Sequence, residues 1–189
     1  DQAPTALEGI KQVTFKGAKE RRVQRLYKRG MKDIKKGNYR LATDVFKKLL
    51  KRYKNHDLAD NALYWMGEGA YAQGDWLQAM TWFQDVILRY PEGNKLPDAM
   101  LKSALCYAKL GDTSYAVQML SEVETLFSGL PVAEVARKRR MALSSRSLQS
   151  EIMAPTSVAA ANSAASNPIV ASPGVISAVA VTREAAAEL

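Results

Sequence analysis

Apolar residues recur through the middle of the chain at helical spacing, and the pattern repeats itself. Over residues 26–36, 63–73 and 100–110 they fall every three or four positions, as on one face of an α-helix. Each run stops at a glycine followed by Asn or Asp, at Gly37-Asn38, Gly74-Asp75 and Gly111-Asp112, a signal for a helix end and a turn. A second amphipathic stretch follows each turn, over 39–53, 76–90 and 114–127. Pro91 closes the second of these, because proline cannot continue a helix.

The recurrence has one period, 37 residues. Leu26, Leu63 and Met100 align, then Gly30, Gly67 and Ala104, and then Ala42, Ala79 and Ala116. Phe46, Phe83 and Leu120 follow, with Leu49, Val86 and Val123, and finally Tyr53, Tyr90 and Phe127. Agreement at so many columns predicts three helical hairpins of about 23–56, 58–93 and 95–129. One hairpin cannot bury its own apolar face, so stacked copies need a closing helix. Residues 130–148 supply it, apolar on one side with Arg137, Lys138, Arg139, Arg140 and Arg146 elsewhere. The small residues let paired helices approach closely, and Phe46 and Phe83 are expected to fill the space between adjacent hairpins. The fold read from this pattern is all-α, a repeat domain over 19–148.

The columns also resemble the tetratricopeptide pattern: a large residue, Gly or Ala four later, Gly-Asp at the turn, then Ala, an aromatic and Pro. The middle copy fits best. The first has Lys54 in place of the final proline, and the third has Ser128 there and Leu120 for the aromatic. Residues 58–68, Leu-Ala-Asp-Asn-Ala-Leu-Tyr-Trp-Met-Gly-Glu, continuing to Tyr71-Ala-Gln-Gly-Asp-Trp76, resemble the periplasmic YbgF-like cell-division coordinators of the Tol–Pal envelope system. The lipoprotein subunit of outer-membrane β-barrel assembly uses similar repeats. The resemblance covers about residues 24–140. It implies a right-handed superhelical solenoid in the periplasm or cell envelope of a Gram-negative bacterium, acting as a scaffold in division without catalysis. A cytoplasmic location is the alternative.

The same resemblance places the first helices of the repeats on a concave face that holds a peptide or helix of a protein partner. Carried over, that face presents Gln24, Tyr27, Met31, Ile34 and Lys35 from the first copy. Asn61, Tyr64, Glu68 and Tyr71 come from the second, and Asp98, Leu101, Leu105 and Lys109 from the third. Tyrosines combine apolar area with a hydroxyl at little entropic cost.

Charge sharpens this picture. Residues 19–54 carry 15 Lys and Arg against 3 acids, whereas residues 57–127 carry 4 against 10. A basic patch is expected at Lys28, Lys32 and Lys36 on one helix and Lys47, Lys48, Lys51 and Arg52 on the next. It suits an acidic partner, self-association against the acidic middle, an anionic membrane or nucleic acid. Nucleic acid is the weakest of these, since the tyrosines sit mainly beyond the basic region and no reading motif accompanies it. An assembly subunit of a larger envelope, secretion or motility complex is the alternative to a peptide-binding scaffold.

Catalytic chemistry is not legible. His56 is the sole histidine and falls in a loop, and no HExxH, paired CxxC or phosphate-cradling glycine loop occurs. No cofactor or metal is expected, and the reading is not an enzyme. Cys106 sits in an apolar helical pattern and reads as a small core residue. No run reaches the roughly 20 apolar residues of a membrane span. The chain begins at Asp1, an end left by a removed targeting peptide or by trimming. Residues 1–18 read as a flexible segment. Residues 149–189, uncharged from 152 to 182 and rich in Ala, Ser and Val, read as a flexible tail in which 175–181 is β-prone.

Overall fold

The computed structural model describes residues 6–153, with side chains over 17–146. Seven helices occupy the described residues, with no strand among them: α1 (Ala6–Lys35), α2 (Tyr39–Tyr53), α3 (Ala59–Ala72), α4 (Trp76–Arg89), α5 (Leu96–Leu110), α6 (Thr113–Leu126) and α7 (Pro131–Met153). Each helix packs against the next in the chain. α1 also meets α3, and α5 meets α7, so the first helices and the closing helix follow one side of the stack. The chain is an all-α repeat solenoid.

The turns form where glycine permits them. Gly37, Gly74 and Gly111 have φ of +75°, +78° and +98°, a left-handed conformation that side chains with a Cβ resist. The next residue starts the second helix. Asp75 and Asp112 each accept a hydrogen bond from the backbone three residues on, Gln78 N–H and Tyr115 N–H, both at 3.1 Å. These bonds satisfy donors that a helix start leaves free. Asn38 makes no such side-chain bond.

Packing within a hairpin rests on glycine against phenyl. Gly30 faces the Phe46 ring, and Gly67 faces Phe83 so closely that a Cβ there would sit 2.6 Å from Cε1. Phe46 and Phe83 are fully buried. Each ring thus packs on the glycine of its own hairpin. The third copy holds Ala104 and Leu120 at these positions, both fully buried, a larger first residue against a smaller second one. Cys106 is in the same core, where burial pushes its thiol up to about 12.

Helix starts lie further upstream than periodicity predicts. α3 and α5 begin at Ala59 and Leu96, and Ala59, Asp60 and Leu96 at these starts are buried. α1 begins at Ala6, inside the stretch expected to be loose. Nothing between Thr5 and Lys35 is a proline, and an internal glycine such as Gly9 or Gly17 costs a helix only about 1 kcal/mol. α7 continues to Met153, five residues beyond the expected cap. The rest of the expected tail, including 175–181, lies outside the described residues.

Candidate functional site

The sequence-predicted groove residues divide into three groups. Tyr27, Met31, Ile34, Glu68, Tyr71, Leu105, Gln24 and Asp98 are half-buried along the first-helix side, and Lys35 and Lys109 are exposed. Tyr64 and Leu101 are not available: each is 8% exposed and belongs to the packed core. Asn61 is committed to the loops. Its Nδ2 donates to Asp60 Oδ1 (2.8 Å) and to Asn94 Oδ1 (3.2 Å).

Aromatic rings form the floor of this side. Trp65 Nε1–H donates to the Tyr27 hydroxyl at 3.1 Å, tying α3 to α1. Tyr64 packs edge-on to Trp65, and Tyr71 edge-on to Trp76 at 4.8 Å. Burial raises the Tyr27, Tyr64 and Tyr71 hydroxyls above the ordinary phenol value, and the Glu68 and Asp98 carboxylates raise Tyr64 further. All three are neutral at physiological pH and able to donate a hydrogen bond.

Three lysines at seven-residue intervals roof the rings. Lys95 Nζ lies 5.2 Å from the Tyr64 ring centre, Lys102 4.8 Å from Tyr71, and Lys109 5.5 Å from Trp76. Seven residues are close to two helical turns, so the lysines at the start of and along α5 share one face. Lys95 also pairs with Asp98 (3.0 Å), and Lys102 pairs with Glu68 (2.8 Å) across the repeat boundary. The middle of the groove is therefore aromatic and nearly charge-balanced. Sequence reasoning missed Trp65, Lys95 and Lys102. The 95/102/109 spacing was a visible signal for the lysines, but not for the rings under them.

Toward α1 the surface changes. Tyr27, Lys28, Met31, Lys32, Lys35 and Lys36 line a trough of about 420 Å³. The four lysines are exposed, and the Tyr27 and Met31 side chains are half-buried. Lys47, Lys48, Lys51 and Arg52 are also exposed, but on α2, where Lys47 lies 5.7 Å from the Trp82 ring of α4. The expected basic patch is thus two groups, one of them in the trough.

The inter-repeat loops hold the polar side chains that sequence reading set aside. His56 Nδ1 accepts from Leu58 N–H (3.1 Å), and its Nε2 meets Glu20 Oε2 at 2.8 Å. With Nδ1 accepting, Nε2 carries the proton and donates to Glu20, whose carboxyl this bond holds below its ordinary value. His56 thus ties the first loop to α1. Buried Asp60 does the same for the second loop, accepting from Lys95 N–H at 3.2 Å. No cluster of three metal-ligating side chains occurs among the described residues, and no described helix is long and apolar enough to cross a membrane.

The family model YfiO, described as an outer membrane lipoprotein, matches residues 56–137, rather less than half of the chain. No curated protein matches the sequence. Among solved structures, PcrH in complex with the chaperone-binding region of PopD superposes with a TM-score of 0.58 at 20% identity, over 68% of this chain and 95% of PcrH. PcrH with the chaperone-binding region of PopB gives 0.53 at 21% identity, over 66% and 95%. PcrH of Pseudomonas aeruginosa gives 0.55 at 20% identity, over 67% and 92%. At such identities the likeness is one of fold, and it agrees with helical repeats of tetratricopeptide type.

Proposed function

We propose that this chain is a non-catalytic protein-interaction scaffold of the bacterial cell envelope, whose first-helix side holds a peptide or helix of a partner protein. The carrying observation is the set of half-buried Tyr27, Met31, Trp65, Tyr71 and Leu105 on the first helices, with exposed Lys35 and Lys109 on the same helices. Amphipathic rings offer apolar area and a hydrogen bond on a rigid backbone, the usual make-up of an interface anchor. The match to an outer membrane lipoprotein family supports the envelope. PcrH, of similar fold, binds segments of PopD and PopB. Coordination of outer-membrane constriction or peptidoglycan synthesis, as in the Tol–Pal resemblance, is the narrower form of this reading.

Photo-crosslinking in living cells tests it, with a photoreactive residue in place of Lys35 or Lys109 and, for comparison, of Leu41 or Leu88 on the second helices. The groove positions should capture one envelope protein that Tyr71→Ala releases and that the other positions miss. Equal capture from both sides, or capture of cytoplasmic proteins alone, would overturn the proposal. Tyr64 is unsuitable for this experiment, since its loss would disturb the core.

A further inference from the structure

The cations of this protein are treated in two ways. Between residues 89 and 140 every Lys and Arg except Arg139 meets a carboxylate or an aromatic ring. In the first hairpin none of the 15 makes an ion pair with another described residue, and only Lys47 lies over a ring. Glu20, one of the three acids there, is taken by His56.

Folding does not call for this surplus. Lys28, Lys32 and Lys35 on α1 and Lys36 just beyond it include pairs three and four residues apart, so several neighbours repel one another across a helical turn. The helix C-terminus favours cations only in its last turn, which accounts for Lys32 and Lys35 but not for Lys28. A charge arrangement that opposes folding suits an anion that arrives later.

The shape selects the anion. The four exposed lysines share the lining of the trough with Tyr27 and Met31, whose half-buried side chains form its base. A flat bilayer would meet the lysine tips without reaching that base, and a nucleic-acid duplex keeps its bases stacked inside, with only sugar and phosphate to offer there. A protein segment supplies both, with acidic side chains for the rim and an apolar one for the base. Beyond the trough the charge-balanced region of Tyr71 and Leu105 asks for apolar side chains alone.

We therefore propose, resting on the scaffold reading above, that the partner segment is acidic and amphipathic. Its carboxylates meet the lysines beside an apolar anchor seated on Tyr27 and Met31, and its remaining apolar residues run along α3 and α5. Charge orients it in the groove.

Selection from a random linear-peptide library displayed on phage, run on the full chain, tests this directly. The measured affinities of the enriched peptides are then compared across variants and salt. Enriched peptides should join Asp or Glu to apolar residues. Their affinity should fall about tenfold or more in Lys28→Glu/Lys32→Glu and at high ionic strength, and should survive Lys47→Glu/Lys48→Glu. Selection on Lys28→Glu/Lys32→Glu should enrich basic peptides instead. Peptides that depend on Tyr71 but carry no acidic excess would overturn the charge assignment and leave the scaffold reading standing. An absence of Tyr71-dependent binders would overturn both. Phosphatidylglycerol vesicles or duplex DNA bound more tightly than the peptides, with loss in the same variant, would assign the trough to phosphate and refute the proposal.

Discussion

Adding one methyl group at Gly67 should destabilise the protein, although the same change normally strengthens a helix. Gly67 lies within α3, where glycine costs about 1 kcal/mol relative to alanine. An added Cβ would lie 2.6, 2.8 and 2.9 Å from three atoms of the Phe83 ring. Phe83 is fully buried among core residues, so the ring cannot swing aside. Overpacking of this kind costs about 1–3 kcal/mol, leaving a net loss of roughly 1 kcal/mol. Gly69 provides the comparison two residues away. A Cβ there meets Tyr39 at 3.4 Å and Ile34 at 3.6 Å, so Gly69→Ala should hold or raise stability by up to about 1 kcal/mol. The Ala104–Leu120 pair shows what relieves the clash: Gly67→Ala combined with Phe83→Leu should lose about 1 kcal/mol less than the two changes summed. Urea denaturation midpoints at a common slope measure all four variants. Should Gly67→Ala stabilise as much as Gly69→Ala, the glycine–phenyl account of the hairpin is wrong.

Further predictions follow from the groove and the core. Lys102→Met leaves the half-buried Glu68 without its partner and should cost about 1–2 kcal/mol, restored in part by Glu68→Gln and read from thermal melts. Lys28→Glu removes a repulsion from Lys32 and should raise stability by about 0.5 kcal/mol at low salt, an increment that 1 M salt abolishes. That gain alongside weaker peptide binding would separate the two roles of this position. The raised Cys106 thiol sets an alkaline limit. Below about pH 9 it is protonated in both states and its contribution is complete. Between about 9 and 12 the unfolded thiol loses its proton while the buried one keeps it, so stability falls as pH rises. Cys106→Ala should flatten that decline in denaturation measured from pH 8 to 11, and the native thiol should react slowly with a disulfide reagent.

The 37-residue period determined the repeat number, the positions of the turns and nearly all of the core. These are local matters, since a glycine with positive φ or an apolar stripe is fixed by residues a few positions apart. Gly37, Gly74 and Gly111 turn the chain where the pattern stops, and Tyr39–Tyr53 is helical over the very span read for it. Contacts between repeats depended on distances that no linear pattern contains. Tertiary packing turned Tyr64 and Leu101 inward, paired Trp65 with Tyr27, placed Lys102 between Glu68 and Tyr71, and set the phenyl rings of Phe46 and Phe83 onto glycines in their own hairpins. It also divided the lysines, which read as one patch along the chain, between a trough on α1 and the surface of α2. A period of 37 states which residues are equivalent. Only stacking decides which equivalent residues touch, because groove residues such as Tyr27 and Glu68 take partners, Trp65 and Lys102, from the next repeat.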